Sequence, residues 1–434
     1  MHKNFISLIC VCMANLAHAQ QTNQWTAPEA IQWTGVSRTA GIPDAGERMT
    51  IAWLPAEQLF GKWVRVTAAA DKNTDFKIWF HLFVGPRPFA RPLPSYCRTQ
   101  QQQKLCVAEG WVPASVPNLQ VRTAFFYADG SPVQLNSLVV QQADGLLENV
   151  ENNKRLDDLI YKLRSLYFKS ADVDWKQVSE LVYPGLPAPQ DIDPLPYLAA
   201  LMVARLPEAA HSFVYPMQSD SSGTENYEAL LPKCRKISQS SSIIQLPATP
   251  DNEKFEDAYV HAAHRCLQTP GIHHWIVDLR HNQGGNANVQ IAALAALFGP
   301  GISMNYINGL KQKMPVLIKP DGIYIDRVLN FRKHLTWNHR LQTIKVTALI
   351  GPGCASSCEA LAIALSSRPH TSLFGQMTSG YASANESLSL NPYYRLALTS
   401  GYMADKYGKI SYPSVHPNIM TDDKTIRQVY LSEE

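Results

Sequence analysis

Residues 350–360 read IGPGCASSCEA, and this stretch decides how its part of the chain folds. An apolar strand enters a tight Gly/Pro turn, small residues follow, and a helix begins. A serine at such a junction presents its hydroxyl at the helix N-terminus, where free backbone N–H groups favour a developing oxyanion. Ser356 and Ser357 are therefore candidates for a catalytic site, with a plain helix N-cap as the alternative.

A second stretch, residues 277–286, reads VDLRHNQGGN and predicts a strand that runs into a Gly-Gly loop. Glycine lets the backbone approach a substrate closely and aim an N–H at it. Acyl transfer needs two such donors, so we expect one from Gly284 or Gly285 and the other from Ser357. The stretch lacks the GxGxxG spacing of a dinucleotide-binding turn, which leaves a plain left-handed turn as the alternative.

Together these stretches resemble the C-terminal-processing (tail-specific) protease family, whose relatives include the tricorn core protease and interphotoreceptor retinoid-binding protein. Residues 278–285 match its Asp-Leu-Arg-x-Asn-x-Gly-Gly strand, and residues 356–359 match its Ser-x-x-Glu, in which the first serine is the nucleophile. The resemblance implies an α/β fold with a crotonase-like (ClpP/crotonase-type) core and serine peptidase activity on a protein or peptide substrate. It implies no metal and no cofactor. Further matches in family order fall at residues 378–380, 396–399 and 415–419.

The chain departs from the tail-specific members at the general base. Where they carry a lysine, this chain reads Gly380-Tyr381-Ala382, and a tyrosine with a pKa near 10 is a poor base at neutral pH. His211, in the stretch LPEAAHSF (206–213), resembles the base of the lysine-free, tricorn-like members, although Ala-Ala replaces the usual Asp-Gly. Imidazole suits the role because its pKa lies near operating pH. A purely structural histidine is the alternative.

A histidine base needs an acid or amide to orient it. Glu386 and Asp405 both follow the serine along the chain, and the sequence leaves the choice between them open. Either is also explained as a turn or salt-bridge residue. Glu359 lies one turn into the predicted helix, and we expect it to pair structurally with Arg280.

Four segments are predicted along the chain. Residues 1–19 form a secretory signal peptide with a cleavage site near Ala19/Gln20, which predicts a periplasmic or secreted protein. Residues 20–145 form a small all-β sandwich or jelly roll. Residues 146–215 form an N-terminal helical segment, and residues 216–434 form the α/β peptidase core with a largely parallel sheet.

The charge, hydropathy and cysteine content of the chain limit the classes of binding partner that we expect. The formal net charge of +3 is spread without a Lys/Arg block, which argues against nucleic acid. Beyond residue 19 the apolar stretches are strand-sized, so no stable membrane anchor is expected. The chain has eight cysteines, two of them at positions 10 and 12, so six remain after signal removal, and Cys97 with Cys106 is the best candidate disulfide. A zinc site is the less favoured reading of these cysteines.

Substrate recognition is predicted to differ from that of relatives with a peptide-binding PDZ module. Only about 66 residues separate His211 from Asp278, too few for such a module beside the core strands. The N-terminal β unit is a candidate for peptide or glycan contact through its tryptophans, although residues of this kind are more often simply core. The rival functions are therefore an inactive relative that binds an apolar ligand and a module that binds cell-wall glycan. The tryptophans concerned are Trp25, Trp33, Trp53, Trp63, Trp79 and Trp111.

Overall fold

A computed structural model provides the structure of the chain. It describes residues 36–39, 48–54, 56–74, 76–84, 87–91, 93, 95–127, 136–143, 150–208, 210–217, 227–249 and 252–426. The predicted signal peptide, residues 1–19, lies outside these ranges. No helix within them is long and apolar enough to cross a membrane.

The N-terminal part of the described chain is β-rich, as its rhythm of short β-branched and aromatic runs predicts. The fourth strand shows a buried side chain at every second position, with Phe76, Ile78, Phe80 and Leu82 all facing inward. The elements are β1 (Val36–Thr39), β2 (Arg48–Leu54), α1 (Ala56–Leu59), β3 (Lys62–Asp71), β4 (Phe76–Val84), β5 (Arg87–Pro88), β6 (Tyr96–Gln100), β7 (Gln103–Val112), β8 (Leu119–Tyr127) and β9 (Ser137–Ala143).

These strands form two antiparallel sheets with the orders β1-β2-β8-β4-β5 and β6-β7-β3-β9. Side chains from both sheets share one hydrophobic core. Trp63 and Trp111 are buried in that core, with ring centroids 5.8 Å apart. These two tryptophans therefore stabilise the fold and do not form a binding surface.

Three helices follow, at the positions where the apolar spacing predicts them: α2 (Val150–Leu166), α3 (Trp175–Val182) and α4 (Leu195–Arg205). Helix α2 buries Leu156, Leu159, Ile160 and Leu163, the i, i+3, i+4, i+7 stripe of an amphipathic helix. This stripe packs into the same core as the β-rich region. The helices therefore tie that region to the rest of the chain.

Residues from 213 onward form two further sheets with helices between their strands. The elements are β10 (Phe213–Pro216), β11 (Lys233–Lys236), β12 (Ser241–Gln245), α5 (Glu253–Leu267), β13 (His274–Asp278), α6 (Ala287–Ala293), α7 (Ala295–Phe298), β14 (Gly301–Asn308), β15 (Lys313–Lys319), β16 (Gly322–Ile325), β17 (Val328–Arg332), α8 (His339–Thr343), β18 (Lys345–Ile350), α9 (Ser357–Ser366), β19 (Thr371–Gly375), β20 (Ser383–Ser389), β21 (Tyr394–Asp405), β22 (Ile410–Ser411), β23 (Ile419–Met420) and α10 (Asp423–Ile426).

One sheet has the order β11-β12-β13-β18-β19-β23 and is parallel from β12 to β23, as the strand–helix alternation predicts. Strands β13 and β18 are neighbours, with Asp278 opposite Leu349. Their carboxyl ends therefore meet at one edge of the sheet. This pairing brings the Gly-Gly loop beside the turn that carries Ser356.

The second sheet is antiparallel, and the prediction of a largely parallel core is wrong for this part. Its order is β10-β21-β14-β15-β16-β17, with β20 and β22 also paired to β21. The long strand β21 accounts for it, because it pairs antiparallel with its chain neighbours β20 and β22 and with β10 and β14, which are distant in sequence. Strand β10 also spans the predicted boundary between residues 215 and 216.

Three disulfides join cysteines of the described chain. Cys97 pairs with Cys106 across β6 and β7, as predicted. Cys234 on β11 pairs with Cys266 on α5. Cys354 pairs with Cys358, so a disulfide closes around the Ser356 turn.

Candidate active site

Ser356 occupies the N-cap position of α9, directly after the turn that leaves β18. Its backbone has φ 56° and ψ −115°, a conformation that non-glycine residues rarely adopt. Such backbone angles persist only where the surroundings enforce them, and they cluster at functional sites. Here the Ala355 N–H donates to the Asn282 carbonyl oxygen at 3.1 Å, which anchors the turn to the neighbouring Gly-Gly loop.

The hydroxyl of Ser356 faces His211 across 145 positions of sequence. Its Oγ lies 3.0 Å from Nε2 of the imidazole, while Nδ1 lies 2.9 Å from Oγ of Ser383. The Asn385 side chain donates to the backbone carbonyl of His211 at 2.8 Å, and the ring of Tyr381 lies 5.3 Å from the imidazole. Both ring nitrogens therefore have hydroxyl partners in a mostly buried setting.

His211 is held in its neutral form. Burial, followed by the nearby positive charge of Arg91, lowers the pKa of His211 to about 4. A neutral imidazole has one N–H and one free lone pair. With the N–H at Nδ1 donating to Ser383, the lone pair of Nε2 faces the Ser356 hydroxyl, which is the arrangement that a general base requires.

Ser383, the partner at Nδ1, is the residue that the sequence did not indicate. It opens β20, which pairs with β21, and this pairing sets its position relative to His211. The segment 382–385 reads ASAN and matches no motif. The one local feature that could have pointed to Ser383 is that it lies shortly after Gly380, where this chain lacks the lysine base of the tail-specific family members.

Neither predicted acid contacts His211 in the described chain. Asp405 lies at the end of β21, where its Oδ1 accepts from the N–H groups of Tyr407 and Lys409, each at 2.9 Å, and closes a turn. Glu386 lies on β20, exposed, and lines the same cavity as Ser356. The expectation of a carboxylate at Nδ1 is therefore corrected to the hydroxyl of Ser383.

The Gly-Gly loop approaches the Ser356 turn closely. Gly284 and Gly285 have φ of 109° and 112°, and a Cβ on Gly285 would lie 2.0 Å from the carbonyl oxygen of Thr249. Only glycine fits there. The Gly284 N–H is already bonded to Oδ1 of Asn282 at 2.9 Å. Within the described chain the N–H groups of Gly285 and Ser357 have no acceptor, so this pair is available to a substrate.

Glu359 supports the site from inside the protein, and its predicted pairing with Arg280 is wrong. Arg280 instead bonds Asp278 and Asp423. The buried Glu359 carboxylate accepts hydrogen bonds from backbone and side-chain groups on both sides of the serine turn, and burial raises its pKa. Its donors are the N–H groups of Ser356, Gly380 and Tyr381 and the hydroxyl of Thr378.

The Ser356–His211 pair opens into a cleft of about 1100 Å³. Its walls include Gly285 and Ser357, and also Tyr306 and Met314 from the antiparallel sheet. Among the described residues, no group of three or more His, Cys, Asp or Glu side chains is placed to hold a metal ion. The arrangement supplies a hydroxyl, a neutral imidazole and two free N–H donors, which are the groups that acyl transfer uses.

Comparison with known proteins gives a family match over the part of the chain that carries both motifs. Residues 242–421 match Peptidase family S41. The Nisin-resistance protein of Lactococcus lactis subsp. lactis is 24% identical over 215 residues, which is 49% of this chain and 66% of that protein.

Among solved structures, a lipoprotein from Streptococcus agalactiae aligns with a TM-score of 0.52 at 19% identity, over 67% of this chain and 99% of that chain. The photosystem II D1 C-terminal processing protease aligns with a TM-score of 0.32 at 20% identity, over 45% of each chain. The alignment with the lipoprotein indicates a shared fold.

Proposed function

Because the chain carries a domain of Peptidase family S41 over residues 242–421, we propose that it hydrolyses peptide bonds with Ser356 as nucleophile and His211 as general base. The observation that carries the proposal is the 3.0 Å contact between Ser356 Oγ and His211 Nε2. Serine-type peptidase is the enzyme class of this domain. The parallel strands with their connecting helices also support the crotonase-like core that the sequence resemblance implies.

The proposed reaction follows the usual two halves of acyl transfer. His211 Nε2 takes the hydroxyl proton while Ser356 Oγ bonds to the scissile carbonyl carbon. The oxyanion accepts hydrogen bonds from the N–H groups of Gly285 and Ser357. The imidazolium then gives its proton to the leaving amine as the C–N bond breaks. A water molecule, deprotonated by His211, finally hydrolyses the acyl-serine ester and restores both side chains.

We place this activity outside the cytoplasm, in the periplasm or as a secreted protein. The disulfides Cys97–Cys106, Cys234–Cys266 and Cys354–Cys358 support that location, because disulfides persist in oxidising compartments. The predicted signal peptide at residues 1–19 supports it as well. The proposed substrate is therefore an exported protein or peptide, and neither a metal nor a cofactor enters the proposed chemistry.

The direct test is covalent labelling by a fluorophosphonate, followed by peptide mapping. We expect one phosphonylated residue, Ser356, because its hydroxyl faces the Nε2 lone pair of the neutral imidazole, whereas the hydroxyl of Ser383 accepts the Nδ1–H. Heat-unfolded protein serves as the control and should not label. A folded protein that does not label would contradict the proposal and favour an inactive relative that binds a ligand.

The pH dependence of labelling should have its acid midpoint near the lowered pKa of His211, about 4, instead of the ordinary value near 6.5. The base works only when neutral, so activity falls as the pH drops through that midpoint. Between pH 6.5 and about pH 4, His211 binds a proton in the unfolded state but not in the folded state. The free energy of unfolding should therefore also decrease as the pH falls through this window. Labelling rates from pH 3.5 to 8 test this, and a midpoint near 6.5 would refute it.

Ser383→Ala should lower the labelling rate about tenfold, the effect of losing one neutral hydrogen bond that orients the base. We infer that Ser383 is a positioning residue, because it acts through the Nδ1–H of His211. The imidazole NMR signals should show a mixture of tautomers in the variant, a change that a merely structural role would not produce. Ser383→Thr keeps the hydroxyl and should restore most of the rate.

A further inference from the structure

One wall of the catalytic cleft comes from the N-terminal β-rich region. Arg91, in the connection between β5 and β6, lines the same cavity as Ser356 and His211. More than 100 positions of sequence separate it from either catalytic residue. The β-rich region therefore contributes a side chain to the site where the substrate would bind.

The position of Arg91 is fixed by two contacts with the segment that carries His211. Its guanidinium donates to the carbonyl oxygen of Ala210 at 2.9 Å and lies over the ring of Phe213, 5.1 Å from the centroid. The hydrogen bond uses one of the five N–H groups of the guanidinium. The side chain is otherwise exposed to the cleft, so the remaining donors are free to meet a ligand.

The charge of Arg91 is not neutralised within the described chain. Other arginines near the core form ion pairs, as Arg155 does with Asp193 and Arg280 with Asp278, but no carboxylate of a described residue lies within 4 Å of the Arg91 guanidinium. Among the described residues that line the cavity, Glu386 carries the one carboxylate, and it forms no ion pair with Arg91. An arginine without an ion-pair partner in a substrate cleft indicates a role in binding, because ion-pairing partners are common at protein surfaces.

This cation also opposes the proposed chemistry when no ligand is present. Burial lowers the pKa of His211 most and the charge of Arg91 lowers it further, so this charge adds to what disfavours the imidazolium that must form as Ser356 attacks. An anion bound to Arg91 would remove the opposition and strengthen the base. The substrate would then raise the reactivity of the site by supplying its own negative charge.

We propose that Arg91 binds a carboxylate of the peptide substrate and so selects peptides that place an acidic group in the cleft. The carboxylate belongs either to a free C-terminus or to an Asp or Glu side chain. A guanidinium binds both in the same way, through two parallel N–H···O hydrogen bonds. This inference rests on the proposed peptidase function and names the chemistry of its substrate.

Binding to the Ser356→Ala protein tests the inference without requiring turnover. The immobilised Ser356→Ala protein is incubated with a tryptic digest of casein, either untreated or with all its carboxylates methyl-esterified. Peptides that the protein retains are identified by mass spectrometry. We expect retention from the untreated digest alone. The tightest peptide is then synthesised, and its dissociation constant should rise about tenfold to hundredfold when its carboxylates are removed, the range for one charge-assisted hydrogen-bonded pair.

Two matched variants attribute the difference to Arg91. In Ser356→Ala/Arg91→Gln the free-acid and carboxylate-free peptides should bind equally. In Ser356→Ala/Arg205→Gln the difference should persist, because Arg205 is not among the residues lining the cleft. Arg205 is a matched control, since its guanidinium also lies 5.1 Å from a phenyl centroid, that of Phe89. A difference that survives Arg91→Gln, or equal binding of both peptides to the parent, would overturn the inference.

The synthetic peptide separates the two sources of the carboxylate. One version has an amidated C-terminus, and another has each Asp and Glu replaced by Asn and Gln. Loss of binding in the first identifies C-terminal recognition, and loss in the second identifies an acidic side chain. The urea unfolding midpoint of Ser356→Ala/Arg91→Gln, compared with that of Ser356→Ala, checks that the variant remains folded.

The outcomes also separate this inference from the proposed function. A protein that labels at Ser356 but retains neither digest is a peptidase without carboxylate recognition, which overturns the inference alone. A protein that does not label but retains acidic peptides through Arg91 is a binding protein, which overturns the proposed function alone.

Discussion

Replacing His211 by alanine should lower kcat/KM for peptide hydrolysis by about 10⁴-fold or more, with Ser356→Ala causing a similar loss. The reason is that the two side chains act as a unit. Without the imidazole, the Ser356 hydroxyl keeps its proton, and without the hydroxyl the imidazole has nothing to activate. The double variant Ser356→Ala/His211→Ala should therefore be no slower than either single variant, since only the N–H groups of Gly285 and Ser357 then remain.

Steady-state hydrolysis of a casein digest measures these rates. His339→Ala is the control, because His339 is an exposed residue at the start of α8, outside the residues lining the cleft, and its replacement should leave the rate unchanged. Added imidazole should partly restore His211→Ala but not Ser356→Ala. If the losses in the two single variants multiplied in the double variant, the two residues would act independently and the proposed mechanism would fail.

Glu359→Gln should destabilise the protein by about 2–4 kcal/mol and also lower activity. The buried carboxylate accepts from the N–H groups of Ser356, Gly380 and Tyr381 as well as from Thr378. An amide replaces one of the two acceptor oxygens by an NH₂ group, so buried donors lose their acceptor. The serine turn and the loop at 380–381 would then move apart, and the contact between Ser356 and His211 would lengthen.

Urea unfolding measures the change in free energy, with the labelling rate taken on the same samples. Glu180→Gln is a matched control, because Glu180 on α3 is exposed and its ion pair within the described chain is with Lys176 at 3.7 Å. An exposed pair contributes about 0–1 kcal/mol. Equal unfolding midpoints for the two variants would show that Glu359 is dispensable.

The local chemistry of the site follows from short stretches of sequence. Residues 350–360 predict a strand, a turn and a helix, and these are β18, the Ser356 turn and α9. Residues 277–286 predict a strand and a Gly-Gly loop, and the loop has the positive φ that glycine allows. Both predictions depend on backbone preferences that act over a few residues, which a sequence displays directly.

The partners of these residues are decided by tertiary structure. Ser383, and not Glu386 or Asp405, meets Nδ1 of His211, because the pairing of β20 with β21 brings residue 383 to a histidine 172 positions earlier. Glu359 looks like a helix-surface acid in the sequence, yet it is fully buried among donors from two segments, the Ser356 turn and residues 378–381.

Arg91 is the clearest example of a residue whose place in the site is decided by tertiary structure. Its sequence surroundings describe a loop of a β-rich region, and nothing near it indicates a catalytic cleft. It reaches the cleft because the β-rich region shares a hydrophobic core with α2–α4 and with β10, the strand that follows His211. The sequence by itself determined which residues are chemically equipped to react. Packing of the β-rich region, helices α2–α4 and the later sheets decided which of them meet, because contacts across more than 100 positions depend on strand pairing and core burial that no local stretch encodes.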